Sequence, residues 1–332
     1  MPQLRNDPIA GRWVIVASER ATRPTQFDAH GTATRREPCP FCVNNEEQTP
    51  PEIVAHRPND SAPDKPGWTL RVVPNKYPAL VTEGEFCRRV DGVYEWANGY
   101  GAHEVIVETP RHETNMASLS GREFEDVVAA YRERILALKK DSRIEYILIF
   151  KNQGSQAGAT IEHTHSQLIA LPIVPLTVRD ELQGAITYYR NHNRCIYCDT
   201  MLEESARKAR IVSENSSFLV ICPFASRFPA ETWILPKRHA AHFESGSTRE
   251  YGDLARALKQ TLLSLHRALK RPAFNYIIHT MPFNEPENGH YHWHIEIMPK
   301  LTQAAGFEWG SGFYINPMPP EEAALLLREN PP

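Results

Sequence analysis

The sequence predicts an α+β fold: two tandem copies of one module, each mainly antiparallel sheet with helices packed on it. Three observations carry this reading. Each half holds several strand-like runs and one principal helical stretch, a mixture that favours antiparallel sheets over a parallel α/β layout. In each half the helix is followed by a strand-like run and then by a histidine-bearing strand. Finally, the succession recurs at a fixed interval, the signature of duplication. His112 and His239 are 127 residues apart, and the same separation links His163 to His290, His165 to His292 and Pro172 to Pro299. Glu104/Glu231, Arg111/Arg238, Leu136/Leu263 and Leu138/Leu265 fall at that offset as well. The modules are expected at 1–175 and 190–332, joined through "VPLTVRDELQGAITYYRNHN".

The first helix is expected over 120–140, "SGREFEDVVAAYRERILALKK". Ser120 is placed as an N-cap with Glu123 three residues on, as in a capping box, and apolar positions then recur at helical spacing. Residues 247–270 read alike, with Ser247 as cap and Glu250 following. The strand-like runs "IEYILIFKN" and "FNYIIHTMP" come next, and then "EHTHSQLIALP" and "HYHWHIEIMP". The tail, "GFEWGSGFYINPMPPEEAALLLREN", adds a glycine- and aromatic-rich segment and a short last helix.

Bulk properties exclude several classes. A chain of 332 residues suits two domains. The formal charge of −3 argues against a basic nucleic-acid surface. No apolar run reaches the length of a transmembrane helix, and the amino terminus lacks the apolar core of a signal peptide. A cytoplasmic location without membrane attachment is therefore expected.

Six cysteines are present, and four form two C-x-x-C pairs, Cys39/Cys42 in "EPCPFCVNN" and Cys195/Cys198 in "NRCIYCDTM". In a reducing compartment such pairs read as metal ligands or redox motifs rather than structural disulfides. A structural zinc site takes four Cys or His ligands and commonly opens with such a knuckle. The repeat nominates His112 and His239, each following a strand, and His163 completes the first set. In the second set symmetry names His290, with His292 one step along the same face as its competitor. Zinc is expected at both, two ions per chain.

"GATIEHTHSQLIALP" places His163, His165 and Gln167 at strand spacing, so that they project to one side. With His163 tied to metal, His165 is held at a fixed orientation beside it. A neutral imidazole nitrogen is a competent nucleophile toward phosphorus when its other nitrogen donates to a fixed acceptor. Gln167 offers an amide N–H to a phosphoryl oxygen and carries no titratable proton. Upstream, "KNQGSQAGAT" supplies the small residues and backbone N–H groups that surround phosphates.

This combination of H-x-H-x-Q after a glycine loop, a zinc knuckle and a tandem repeat resembles the galactose-1-phosphate uridylyltransferase branch of the histidine-triad superfamily. The resemblance covers nearly the whole chain and implies histidine-triad-like modules. "NDPIAGRWVIVASERATRP" is similar to that branch's opening segment, implying that Arg20 and Arg23 approach a nucleotide sugar. "VVPNKYPAL" is similar to its base- and ribose-binding segment, implying roles for Asn75 and Tyr77. "FKNQGSQAGATIEHTHSQ" is similar to its phosphate loop and catalytic strand, implying roles for Asn152, Gly158 and Thr160 beside His165 and Gln167. The implied reaction is a double displacement. His165 takes a nucleotidyl group from a nucleoside-diphosphate hexose, UDP-glucose in the uridylyltransferases of galactose metabolism, and passes it to hexose 1-phosphate or phosphate. A homodimer is implied by the family.

Departures lie in the tail, where "AGFEWGSGFYINPMPPE" keeps Phe307 but has glycines and Ser311 where uridylyltransferases contact the sugar phosphate. The tail and the second knuckle look more like a sister enzyme, ADP-glucose phosphorylase, which transfers adenylyl to inorganic phosphate. Its second zinc site implies His292 rather than His290. Uridylyltransferases can also hold a metal through residues resembling His279, His294 and a glutamate near Glu181. Two other classes remain as rivals: a nucleotide-binding zinc protein without turnover, and a dinucleotide hydrolase.

Overall fold

Capping chemistry and apolar spacing place the helices close to where the sequence puts them. The computed structural model describes residues 38–286 and 289–332, together with the backbone of 3–6 and 13–16. Strands β1 (Gln3–Asn6) and β2 (Trp13–Val16) are followed by β3 (Val54–His56), β4 (Leu70–Pro74), β5 (Arg88–Asp91), β6 (Tyr94–Asn98) and β7 (Ala102–Val107). Helix α1 (Gly121–Leu138), β8 (Tyr146–Gln153) and β9 (His165–Leu171) complete the first half. Next come α2 (Leu176–His192), α3 (Ile196–Arg207), β10 (Ile211–Glu214), β11 (Phe218–Ile221) and β12 (Thr232–Pro236). The chain ends with α4 (Thr248–Ala268), β13 (Phe274–His279), β14 (His294–Pro299), α5 (Gly306–Ser311) and α6 (Pro320–Glu329).

Helices α1 and α4 begin with complete capping boxes, Ser120 with Glu123 and Ser247 with Glu250. Each box satisfies two N–H groups that an α-helix leaves unpaired at its start. The joining segment, expected to be a connection, is instead helical. Its Val178, Leu182 and Ala185 recur at spacings of four and three and are buried, which makes an amphipathic helix of α2. Helix α3 begins one residue after Cys195, so the second knuckle lies in a first helical turn.

The strands form two antiparallel sheets. The smaller has the order β2-β1-β6-β5, and the larger has ten strands in the order β10-β11-β12-β14-β13-β8-β9-β7-β4-β3. β8 and β13 pair antiparallel at its centre, with Ile149 opposite Ile278. Outward from that seam each half shows the same succession. α1 and α4 bury their apolar sides on one face, in a core that includes Phe124, Tyr131, Leu254, Leu258, Ile147 and Ile295. On the opposite face, over the second half, α2 and α3 cover Leu219, Ile221 and Leu235. The first half has no equivalent cover among the described residues. No helix among the described residues is long and apolar enough to cross a membrane.

The α4 cap gives a pH test. The Arg238 guanidinium, with the Ser247 N–H, holds the Glu250 carboxyl down at about 2. A folded value below the unfolded one means stability that is present above about 4.5 and lost as pH falls toward 2. Glu250→Gln is expected to flatten the acid limb of the stability profile in that window, measured by urea unfolding at stepped pH. An unchanged slope would refute the assignment.

Candidate active site

The first cluster assembles at the corner where β7 and β9 start to part. Cys39 and Cys42 lie in the turn between β2 and β3. Cys39 Sγ is 3.7 Å from His163 Nδ1, and Cys42 Sγ is 3.2 Å from His112 Nδ1 and 3.6 Å from His163 Nδ1. A sulfur and a nitrogen on two corners of a tetrahedral zinc site are about 3.6 Å apart, given the usual bond lengths. The donor set and spacing therefore fit such an ion. His163 Nε2–H donates to the Thr109 carbonyl at 2.8 Å, which leaves Nδ1 facing the two sulfurs as the atom that could hold an ion. Burial holds the His163 ring neutral, its pKa lowered to about 4.

The second cluster repeats this. Cys198 Sγ is 3.4 Å from His239 Nδ1 and 3.5 Å from His292 Nδ1, and Cys195 joins the group. His292 Nε2–H donates to the Pro236 carbonyl at 2.8 Å. His290, which symmetry names, lies outside the cluster, its ring 6.5 Å from that of Tyr189. The reason is a two-residue insertion. The histidine lies 54 residues past its carbonyl partner in the first half and 56 in the second. His292 therefore occupies the place of His163, and His294 that of His165.

The strand β9 begins at His165, with His163 in the lead-in. His165 Nδ1–H donates to the His163 carbonyl at 2.7 Å, so Nε2 carries the lone pair in the neutral ring. Opposite strand partners share a face, which puts Val107 with His165 and Val105 with Gln167. Val105, Val107, Val73, Trp68 and Phe41 form an apolar floor there, and the Phe41 ring lies edge-on, 5.2 Å from His165. His165 is 7% exposed, while Asn75, Tyr77, Asn152, Thr160 and Gln167 are part-exposed.

The glycine loop turns at Gly154 (φ 82°) and Gly158 (φ 85°), both in the left-handed region that a side chain disfavours. Within it the Ala157 and Ala159 N–H groups donate to the Gly154 carbonyl and the Gly158 N–H to the Ser155 carbonyl. Asn152 leaves β8 on the face of Gln167, and its Oδ1 accepts from Asn275 Nδ2 at 2.8 Å. Tyr77 N–H donates to Asn75 Oδ1 at 2.9 Å. Phe307 lies on α5, 56% exposed, in a segment whose Trp309, Phe313 and Ile315 are also exposed. Arg20 and Arg23 lie outside the described residues.

Two groups escaped sequence reading. His103 on β7 contacts Gln167, with Nε2 2.9 Å from Oε1. Its only sequence signal is a histidine opening "HEVIVETPRH". Lys151 is the second, buried behind the catalytic strand. The β8–β9 pairing ends at Phe150 opposite Gln167, two positions short of His165. There Lys151 Nζ donates to the His165 carbonyl at 2.9 Å, to Glu108 at 2.8 Å and to Thr164 Oγ1 at 2.8 Å. Ser166, Tyr131 and Tyr276 extend this network across the seam.

In the second half, Glu181 of α2 reaches His279 Nδ1 at 3.0 Å and His294 Nε2 at 3.5 Å. Glu296 replaces the glutamine and pairs with His279 at 3.4 Å and with Arg227. Burial works against charge on His279, but Glu296 and Glu181 outweigh it and raise its pKa to about 10. Glu181, His279 and His294 form a third group of potential ligands.

A ten-stranded duplicated sheet, an N–H-anchored histidine on one of its strands and paired Cys/His clusters define a histidine-triad-like protein of the nucleotidylyl-transfer class. The model described as galactose-1-phosphate uridyl transferase, N-terminal domain, matches residues 1–175, and one described as a domain of unknown function matches 101–327. An ADP-glucose phosphorylase from Arabidopsis thaliana is 37% identical over 99% of this chain and 93% of its own length. A galactose-1-phosphate uridylyltransferase from Thermotoga maritima is 30% identical over 99% of this chain and 98% of its own. A crystal structure of an ADP-glucose phosphorylase from Arabidopsis thaliana with bound ADP-glucose superposes with TM-score 0.76 at 36% identity, covering 99% of both chains. The chain belongs to the galactose-1-phosphate uridyl transferase family.

Lys151 and Glu108 are almost wholly buried, with side chains 1% and 0% exposed. Removing one partner strands the other charge, at a cost of about 3–5 kcal/mol. Lys151→Met is expected to lose on the order of 3 kcal/mol in urea unfolding. Lys151→Met with Glu108→Gln is expected to recover part of it; a double variant as unstable as the sum of the two would contradict the pairing.

Proposed function

We propose that His165 carries a nucleotidyl group between a nucleoside-diphosphate hexose and a phosphate-bearing acceptor, with UDP-glucose and hexose 1-phosphate as the uridylyltransferase pair. The observation that carries this is the 2.7 Å bond from His165 Nδ1–H to the His163 carbonyl, which presents Nε2 as a nucleophile. Nε2 attacks the α-phosphorus, the bond to the bridging oxygen breaks, and hexose 1-phosphate leaves with the electron pair. A phosphate oxygen of the acceptor then attacks the same phosphorus and returns the pair to Nε2. The Gln167 amide N–H hydrogen-bonds a phosphoryl oxygen as charge develops. Asn75 and Tyr77 hold base and ribose, Asn152, Gly158 and Thr160 the phosphates, with Arg20, Arg23 and Phe307 completing the contacts.

A second reading is adenylyl transfer from ADP-glucose to inorganic phosphate. It is supported by the second Cys/His cluster, in which His292 takes the fourth position, and by the 37% identity with the Arabidopsis phosphorylase. The exposed aromatic α5 segment supports a homodimer in which the tail meets a second copy. A cytoplasmic location goes with this metabolism.

Incubating the chain with α-labelled UDP-glucose and ADP-glucose in turn is expected to give an acid-labile label on protein from one of them. His165→Ala is expected to abolish it, a loss well beyond the roughly hundredfold effect of an auxiliary donor. No label from either nucleotide would sink both readings.

We further infer zinc at Cys39/Cys42/His112/His163 and at Cys195/Cys198/His239/His292. Zinc, when bound, locks His163 and so the carbonyl that orients His165. Metal analysis of the purified chain is expected to give about two equivalents, with Cys42→Ala and Cys198→Ala each losing one. Full occupancy in both variants would overturn the ligand assignment.

A further inference from the structure

Gln167 assists transfer only if its amide nitrogen, rather than its oxygen, meets the phosphoryl group. The two ends of an amide are nearly the same shape, so hydrogen bonding alone decides the orientation. Two backbone N–H groups in the 75–79 loop decide it here. The Ala79 N–H donates to His103 Nδ1 at 3.1 Å. A ring nitrogen that accepts a hydrogen bond carries no proton, so the proton of His103 is on Nε2. That nitrogen is 2.9 Å from Gln167 Oε1 and donates to it.

The Tyr77 N–H acts in parallel. It engages Asn75 Oδ1 at 2.9 Å, which turns Asn75 Nδ2 toward the same Gln167 oxygen at 3.5 Å. His103 Nε2 and Asn75 Nδ2 are 3.1 Å apart; both are donors, so they flank one shared acceptor rather than bond each other. With Oε1 engaged, the Gln167 NH2 points the other way. A flipped amide would set its N–H bonds against two donors in a buried setting, since His103 is only 5% exposed.

We propose that His103 is a positioning residue for transfer: with Asn75 it fixes the Gln167 amide nitrogen toward the phosphoryl site. The 75–79 loop, taken above to hold base and ribose, sets both donors. Nucleotide binding and the orientation of the transfer donor are therefore built on one segment. This inference rests on the proposed nucleotidylyl transfer.

Two measurements test it. The first needs no activity: ¹⁵N correlation spectra of the histidine side chains, with His103 assigned by loss of its signals in His103→Gln. The Nε2–H tautomer is expected at neutral pH; a proton on Nδ1 overturns the inference. The second is the rate of labelled nucleotidyl-enzyme formation. His103→Phe is expected to slow it about tenfold, with half-saturating nucleotide sugar moved less than about twofold. His103→Gln, whose amide N–H lies near the position of Nε2, is expected to recover most of the rate. In a Gln167→Ala background His103→Phe is expected to cost nothing further, because its effect passes through the missing amide. Additive losses would mark a general structural role and overturn the inference. If wild type forms no adduct, the transfer reading falls, while the tautomer measurement still decides the orientation of Gln167.

Discussion

The contact on which the site depends is a single hydrogen bond, from His165 Nδ1–H to the His163 carbonyl. A net stabilisation of about 1 kcal/mol is ordinary for such a bond. Its consequence is geometric, because it chooses the tautomer and sets the direction of the lone pair. The carbonyl can do this because His163 cannot move. Its ring is bound at both nitrogens, by the Thr109 carbonyl on one side and the two sulfurs on the other. Behind the strand Lys151 grips the His165 carbonyl where the β8–β9 ladder has ended. Misplacing a reacting atom by about 1 Å can cost a hundredfold in rate, and this bracing works against such a shift.

The second half shows what the same scaffold becomes without that function. His294 Nδ1 meets the His292 carbonyl at 3.2 Å, the counterpart of the bond in the first half. But α2 lies over this face and inserts Glu181, and Glu296 stands where the first half has Gln167. The two carboxylates are balanced by Arg227 and a protonated His279. Both carboxylates carry the same sign of charge as a diphosphate. The second module keeps the Cys/His corner and has carboxylates on the face where the first half has an amide.

What was legible in the sequence was local or repeated. Ser120 and Ser247 gave the helix starts because a capping box spans only four residues. The Cys/His sets could be read because the C-x-x-C knuckle occurs in both halves and His112 and His239 fall at the 127-residue interval. The 127-residue interval named His290 wrongly for a physical reason: the insertion lies between the carbonyl anchor and the histidines, beyond the stretch where the interval holds. α2 read as a connection because its apolar positions are few and Pro175 precedes them. The β8–β13 seam left no trace, since nothing in two apolar strands says which edge meets which. His103 was hidden for the same reason. Its partner is 64 residues away, and only the pairing of β7 with β9 brings them together.

The choice of glutamine at 167 bears on why such a site transfers rather than hydrolyses. A covalent nucleotidyl-imidazole is attacked readily by any activated oxygen, and water is present in large excess over any acceptor. Water becomes competitive when a neighbouring group accepts its proton. A carboxylate at 167 would do so and would also repel the phosphoryl oxygens. A histidine there could do so in its neutral form. The amide has no titratable site, and its one accepting atom, Oε1, is engaged by His103. If His165 carries the nucleotidyl group as proposed, a pair of N–H donors then faces the intermediate, stabilising phosphoryl charge and giving an incoming water nothing to lean on. Under that proposal the hydrogen bonding that orients Gln167 also withholds the group that hydrolysis requires.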